Sequence, residues 1–150
     1  IDCNGSYLAL WDLQDPGNVG TIIRGADAMG ISGVILSRNC CDLYNLKTIR
    51  AAMGSLFRVP VLTADMEDFL RDSGLRSYAA VVSPDARKAT RADFSGAVVV
   101  IGNEGNGLSA EQAAACGERI TIPMRGSAES LNAAMAATIL MWEMARGKTE

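Results

Sequence analysis

Val98-Val99-Val100-Ile101-Gly102-Asn103-Glu104-Gly105-Asn106-Gly107 is four consecutive β-branched residues running into a polar, glycine-rich loop. Apolar residues without alternation fit a strand buried on both faces, which is the habit of parallel sheets covered by helices. In such sheets, ligands sit beyond the carboxyl ends of the strands, where this loop falls. Outward from it, short apolar runs alternate with helical patterns. Strands are expected at 7–11, 33–36, 57–62, 78–82, 98–101 and 119–122. Helices are expected at 19–29, 46–53, 66–71, 110–116 and 131–146. Asp65 is placed to cap the third helix, and Ser109 with Gln112 forms a capping-box pattern at the fourth. The last helix carries Leu131, Met135, Thr138, Trp142 and Ala145 at helical spacing. The alternation predicts one α/β domain over 1–150 with a mostly parallel, six-stranded sheet flanked by helices.

The composition narrows the chemistry. There are 150 residues and no histidine, so a Ser-His-Asp or Cys-His hydrolase within this chain is excluded. Cys3, Cys40, Cys41 and Cys116 contain no C-x-x-C pair, so a zinc site is not expected and reduced cytoplasmic thiols are. The net charge of -3 argues against nonspecific coating of nucleic acid, while leaving room for a local basic patch. No apolar run is long enough for a membrane span. The start, Ile1-Asp2-Cys3, reads as a cut point with residues upstream.

Three stretches carry functional weight. The first is Asp15-Pro16-Gly17-Asn18-Val19-Gly20, followed by a helix bearing Arg24. Asp-Pro-Gly is turn chemistry and Asn18 suits an N-cap, so a plain turn explains the stretch about as well as a site does. Arg24 is the odd residue: a lone guanidinium among Ile22, Ile23, Gly25 and Ala26 is either a surface group or aimed at an anion. The second stretch is the loop from Gly102 to Gly107. Its G-x-x-G-x-G spacing fits neither the dinucleotide fingerprint nor the Walker loop. Glu104 would repel a pyrophosphate, and it suits a ligand with cationic or hydroxyl groups, such as a sulfonium nucleoside. The third is Ile122-Pro123-Met124-Arg125-Gly126-Ser127, running to Ser130-Leu131-Asn132. Ser127 or Ser130 can cap the last helix; Asn132 in its first turn is harder to explain, because Asn is a poor helix former there.

Asn18-x-Gly20-x-x-x-Arg24, then Ile101-Gly102-Asn103-Glu104-Gly105-x-Gly107-Leu108-Ser109, then Ile122-Pro123-Met124 with Glu129-Ser130-Leu131-Asn132, resemble in order and spacing the three motifs of the SpoU (TrmH) family of RNA methyltransferases. Residues 50–60 resemble a further segment between the first two. The resemblance covers nearly the whole chain. It implies a fold whose C-terminal part forms a deep trefoil knot, which composition does not indicate and which runs against the default of unknotted chains. It implies that the knotted backbone binds S-adenosylmethionine, with Gly102, Ile122 and Leu131 contributing backbone groups and Asn103, Gly105 and Met124 lining the same pocket. It implies a homodimer in which the arginine of one subunit works beside the cofactor of the other, and often an N-terminal RNA-binding domain.

The activity so implied is methyl transfer to a ribose 2′-hydroxyl, in ribosomal RNA rather than transfer RNA, without a metal. Arg24 matches the residue that deals with the hydroxyl. A guanidinium stays charged, so its expected role is to clamp the adjacent phosphate and stabilise the developing alkoxide. Asn18, Glu104, Ser130 and Asn132 are expected to orient the ribose and Arg24, with Glu104 the one motif carboxylate able to take the proton directly. The rival readings are methylation of transfer RNA, methylation of a base nitrogen, and an RNA-binding member without catalysis. A nicotinamide oxidoreductase fails on the loop spacing.

Overall fold

In the computed structural model, residues 1–146 are described. They form one parallel sheet with helices on both faces. The strands are β1 (Ser6–Leu10), β2 (Gly33–Ser37), β3 (Val61–Ala64), β4 (Arg76–Ala80), β5 (Arg87–Lys88), β6 (Ala97–Ile101) and β7 (Glu118–Thr121). The helices are α1 (Pro16–Ala28), α2 (Leu46–Ala52), α3 (Met66–Asp72), α4 (Ala110–Ala114) and α5 (Ala133–Ala145). The strand order is β3-β2-β1-β6-β4-β7-β5, and every pairing is parallel.

Period-two alternation divides the core into two layers. From β1 and β6, Leu8, Leu10, Ala97, Val99 and Ile101 join Ile22 and Ile23 of α1 and Leu140 and Met141 of α5. Tyr7, Ala9, Trp11, Val98 and Val100 point the other way, onto Phe69 and Leu70 of α3 and Ala113 of α4. Both faces of β6 are therefore dry, which is why its sequence reads as an unbroken apolar run. Among the described residues no helix is long and apolar enough to cross a membrane.

Seven strands stand where six were expected. The addition, β5, is the exposed dipeptide Arg87-Lys88 on the edge beside β7, and it has no apolar pattern to betray it. Charged residues on an edge strand discourage pairing with another sheet. The third strand begins at Val61, not at 57. Met53 and Gly54 both take left-handed backbone, at φ 51° and 83°. Ser55–Phe57 then forms a 3-10 turn with Phe57 left outside at 90% exposure. That turn is held by Asp27 of α1, whose carboxylate accepts from Ser55 Oγ and Arg58 Nε, each at 2.8 Å.

Two helix starts also differ. Asp15, not Asn18, caps α1: its Oδ1 accepts from Gly17 N at 2.8 Å, with Pro16 at the first helical position. Asn132 is itself the cap of α5, accepting from Ala134 N and Met135 N, so neither Ser127 nor Ser130 has that task. The inward face of α5 is Ala133, Ala134, Ala137, Leu140, Met141 and Met144, whereas Met135, Thr138 and Trp142 of the expected stripe face outward. Helices α1 and α5 cross at Gly25, where an added Cβ would meet Met141 Cε at 2.7 Å.

Candidate functional site

After β1, β2 and β3 the chain skips a place: β4 forms beyond a gap that β6 later fills between β1 and β4. The carboxyl ends of β4, β6 and β7 open there into a pocket of about 440 Å³, within the ordinary range for small-molecule sites. Its apolar wall comes from Ala80, Val82, Leu108, Ile122, Leu131 and Leu140, and its lining includes two acidic residues, Glu104 and Glu129.

All six residues expected at the cofactor line this one pocket: Gly102, Asn103, Gly105, Ile122, Met124 and Leu131. Glu104 and Ser130 line it as well, while Asn18, Arg24 and Asn132 do not. Asn18 and Asn132 are nevertheless brought together. Asn132 Nδ2 donates to Asn18 Oδ1 at 3.2 Å, across 114 positions, joining the first turn of α1 to the cap of α5. Arg24 is exposed on the outer side of α1, next to the Gly25 crossing, and makes no ion pair among the described residues.

The glycine-rich loop is a tight hairpin. Asn103 and Gly107 pair as an isolated antiparallel bridge, and Gly107 N donates to Asn103 O at 2.8 Å. A Cβ on Gly102 would lie 2.3 Å from Gly107 C and Leu108 N, so only glycine fits there. The Asn103 side chain shapes the loop: Oδ1 accepts from Gly105 N and Nδ2 donates to Asp12 O, both at 2.9 Å. The expected capping box at α4 is present, with Ser109 and Gln112 exchanging bonds.

Glu104 is not the free carboxylate that a direct proton acceptor calls for. Oε1 accepts from Asp15 N at 2.9 Å, and both oxygens lie 3.1 Å from Gln14 N. Charge-assisted bonds of this kind tie the carboxylate to the backbone that leads into α1. Asp12 and Ser37, which join the same network, were missed by sequence reading because no motif spacing marks them, and Gln112 was marked only as the capping-box partner of Ser109. Cys116 lies outside the site, its thiol pushed up to about 11 by burial. Burial likewise raises Cys41.

This pocket fits a sulfonium nucleoside. It has an apolar slot for a base, a backbone cradle only glycine can make, and carboxylates suited to hydroxyl or cationic groups.

Residues 5–142 match the SpoU rRNA Methylase family. A curated relative is the 23S rRNA (guanosine(2553)-2'-O)-methyltransferase RlmP of Bacillus subtilis, 36% identical over 135 residues, or 88% of this chain and 54% of that protein. The crystal structure of an AdoMet-bound rRNA methyltransferase from Sinorhizobium meliloti superposes with a TM-score of 0.90 at 39% identity, covering 97% of this chain and 57% of that one. A structure described as giving insight into 2-OH methylation of C/U34 on tRNA superposes at 0.85 with 28% identity, covering 97% of each chain. This chain spans about half the length of the curated relatives it matches.

Proposed function

The chain belongs to the SpoU rRNA methylase family, and on that premise we propose that it transfers a methyl group from S-adenosylmethionine to a ribose 2′-hydroxyl of ribosomal RNA. The carrying observation is that one pocket gathers Gly102, Asn103, Gly105, Ile122, Met124 and Leu131 from three separate stretches of the chain. Ribosomal RNA is favoured over transfer RNA because relatives named for a single substrate at 36% and 37% identity are 23S rRNA methyltransferases, whereas the tRNA structure matches at 28%. The cofactor supplies an electrophilic methyl on a sulfonium, chemistry that requires no Lewis acid.

The chain's own residues do the rest. The loop of residues 102–107, shaped by Asn103 and clamped by Glu104, presents its backbone to the pocket. Asn18 and Asn132 fix the start of α1 against the start of α5, and Ser130 stands at the pocket mouth. Arg24 neutralises a neighbouring phosphate and the charge that develops on the attacking oxygen, a contact of most value in a site that excludes water. Much of the acceleration then comes from position.

Arg24 lies off the pocket of its own chain, so the proposal includes a homodimer in which one subunit's Arg24 serves the other's pocket. The outward apolar residues Met135, Ile139 and Trp142 of α5, the helix that packs on α1, supply the apolar face for this two-fold contact. The knot belongs to the proposal too. It is supported by α5 returning to pack on α1 and β6 after the chain has passed β7. Cytoplasmic placement is supported by four free cysteines.

The test is calorimetric titration with S-adenosylmethionine, then transfer of a tritiated methyl to ribosomal and transfer RNA. Expected is saturable metal-free binding and label in ribosomal RNA at one nucleotide resistant to alkaline cleavage. Label on a base, or on transfer RNA alone, would overturn the substrate; no cofactor binding would overturn the function.

A further inference from the structure

Asp12 has a backbone conformation that its residue type does not prefer. It follows β1 at φ 61°, one of two non-glycine residues with positive φ among those described. Left-handed backbone crowds Cβ against the following carbonyl, so it persists where the surroundings hold it. Here four bonds do so. Asp12 N donates to Ser37 Oγ at 2.9 Å, and Ser37 Oγ donates back to Asp12 Oδ1 at 2.8 Å. Gln112 Nε2 reaches Asp12 Oδ2 at 3.5 Å, and Asn103 Nδ2 donates to Asp12 O at 2.9 Å.

One residue thus joins the end of β1 to the end of β2, the glycine-rich loop and the start of α4. Ser37 is buried, at 5% exposure, so this side of the join is shielded from water. Two residues on, Glu104 accepts from Gln14 N and Asp15 N. Gln14 Nε2 donates to Asn39 O, and Asp15 caps α1. Residues 12–15 are therefore held by Asn103 and Glu104 on one side and by Ser37 and the Asn39 carbonyl on the other. They lead directly into the helix that carries Asn18 and Arg24.

We propose that Asp12 is a positioning residue whose carboxylate, with the Glu104 clamp, locks the loop before α1 to the glycine-rich loop, so that the cofactor pocket and the Arg24 helix keep one fixed register. It makes no contact with the reacting atoms. The inference rests on the methyl-transfer reading for its kinetic consequence and on geometry alone for the clasp.

Glycine tolerates φ 61° without strain but has no carboxylate, whereas asparagine tolerates it and keeps an oxygen for Ser37. Asp12→Gly should therefore fold, while amide exchange at residues 12–17 speeds up about tenfold through local opening. With RNA, its kcat should fall about tenfold or more, because displacement of a positioned group by an ångström is enough to do this. KM for S-adenosylmethionine should hardly change, since Asn103 can still reach the carbonyl of residue 12. Asp12→Asn should recover most of both losses.

Exchange is measured without cofactor or RNA, so it judges the clasp even if wild-type protein transfers no methyl, a result that counts against the functional reading instead. Wild-type exchange in Asp12→Gly overturns the inference, as does a wild-type kcat. So does an Asp12→Asn variant no better than Asp12→Gly. If Asp12→Gly fails to fold, Ser37→Ala removes the same contact from the far side, and unchanged exchange at 12–17 in that variant is equally fatal.

Discussion

Gly102→Ala is the sharpest perturbation of the proposed cofactor loop. The new methyl carbon would lie 2.3 Å from Gly107 C and Leu108 N, and 2.5 Å from Gly107 O. All three are backbone atoms of the hairpin's returning arm, so no side chain can swing away; the arm itself must move. Overpacking of this kind costs about 1–3 kcal/mol. A domain of this size melts roughly 2–4 °C lower per kcal/mol, so a fall of about 3–10 °C is expected. The displaced arm is the pocket wall, so calorimetry should show S-adenosylmethionine affinity lost or strongly reduced. Gly105→Ala is the matched control: its Cβ would meet only Asn103 Oδ1, at an ordinary 3.4 Å. That variant should melt as wild type, whereas Gly105→Phe should fold and block the pocket. If Gly102→Ala melts within about a degree of wild type and binds the cofactor equally well, both the hairpin geometry and the pocket assignment are wrong.

Arg24→Ala should abolish most methyl transfer in single-turnover assays while changing stability by under about 0.5 kcal/mol, and Arg24→Lys should recover little, because an ammonium lacks the planar two-pronged contact. Trp142→Glu places a charge on the outward face of α5 and should shift sedimentation from dimer to monomer at micromolar concentration, with activity lost alongside. Asp27 is held below the usual carboxylate range by its bonds from Arg58 and then Ser55. A lowered folded-state value gives stability that is present above the unfolded value of about 4 and lost as pH falls through the folded one, so the melting difference between wild type and Asp27→Asn should be full at pH 6 and close below about pH 4.

What could be read from the sequence was local. The apolar run of β6, the capping box at Ser109 and Gln112, and the lone Arg24 among apolar neighbours each carry their signal within one turn or strand. The missed features are settled by distant partners. Strand β5 pairs with β7 through a two-residue ladder and the Arg87–Glu118 ion pair, and Arg87-Lys88 has no periodic pattern to read. The 57–62 run looked like a strand because its apolar residues alternate, but Asp27, some thirty positions earlier, holds Ser55 and Arg58 in a turn. Asn132 was noticed for sitting badly in a helix; it is the cap, and its spare amide is committed to Asn18. The role of Glu104 was invisible for the same reason, since its partners are backbone N–H groups some ninety residues away, adjacent only once β1 and β6 pair.

A net charge of -3 is awkward for the proposed RNA substrate until the cations are sorted by partner. Arg58, Arg71, Arg76, Arg87 and Arg146 are spent on carboxylates. Among the described residues, Arg24, Arg38, Lys47, Arg50, Lys88, Arg91, Arg119 and Arg125 are exposed and form no ion pair. The first four sit on α1, after β2 and on α2; Lys88, Arg91 and Arg119 lie along the β5–β7 edge, and Arg125 follows Met124 of the pocket, whose own lining carries the acids Glu104 and Glu129. Attraction for phosphate depends on such local fields and not on the sum. The pocket lining is thus acidic, while one group of free cations lies around Arg24, on α1, α2 and the turn after β2. In the proposed reaction that group is placed to draw a polyanion to these helices, and the acids favour a cationic sulfonium in the loops.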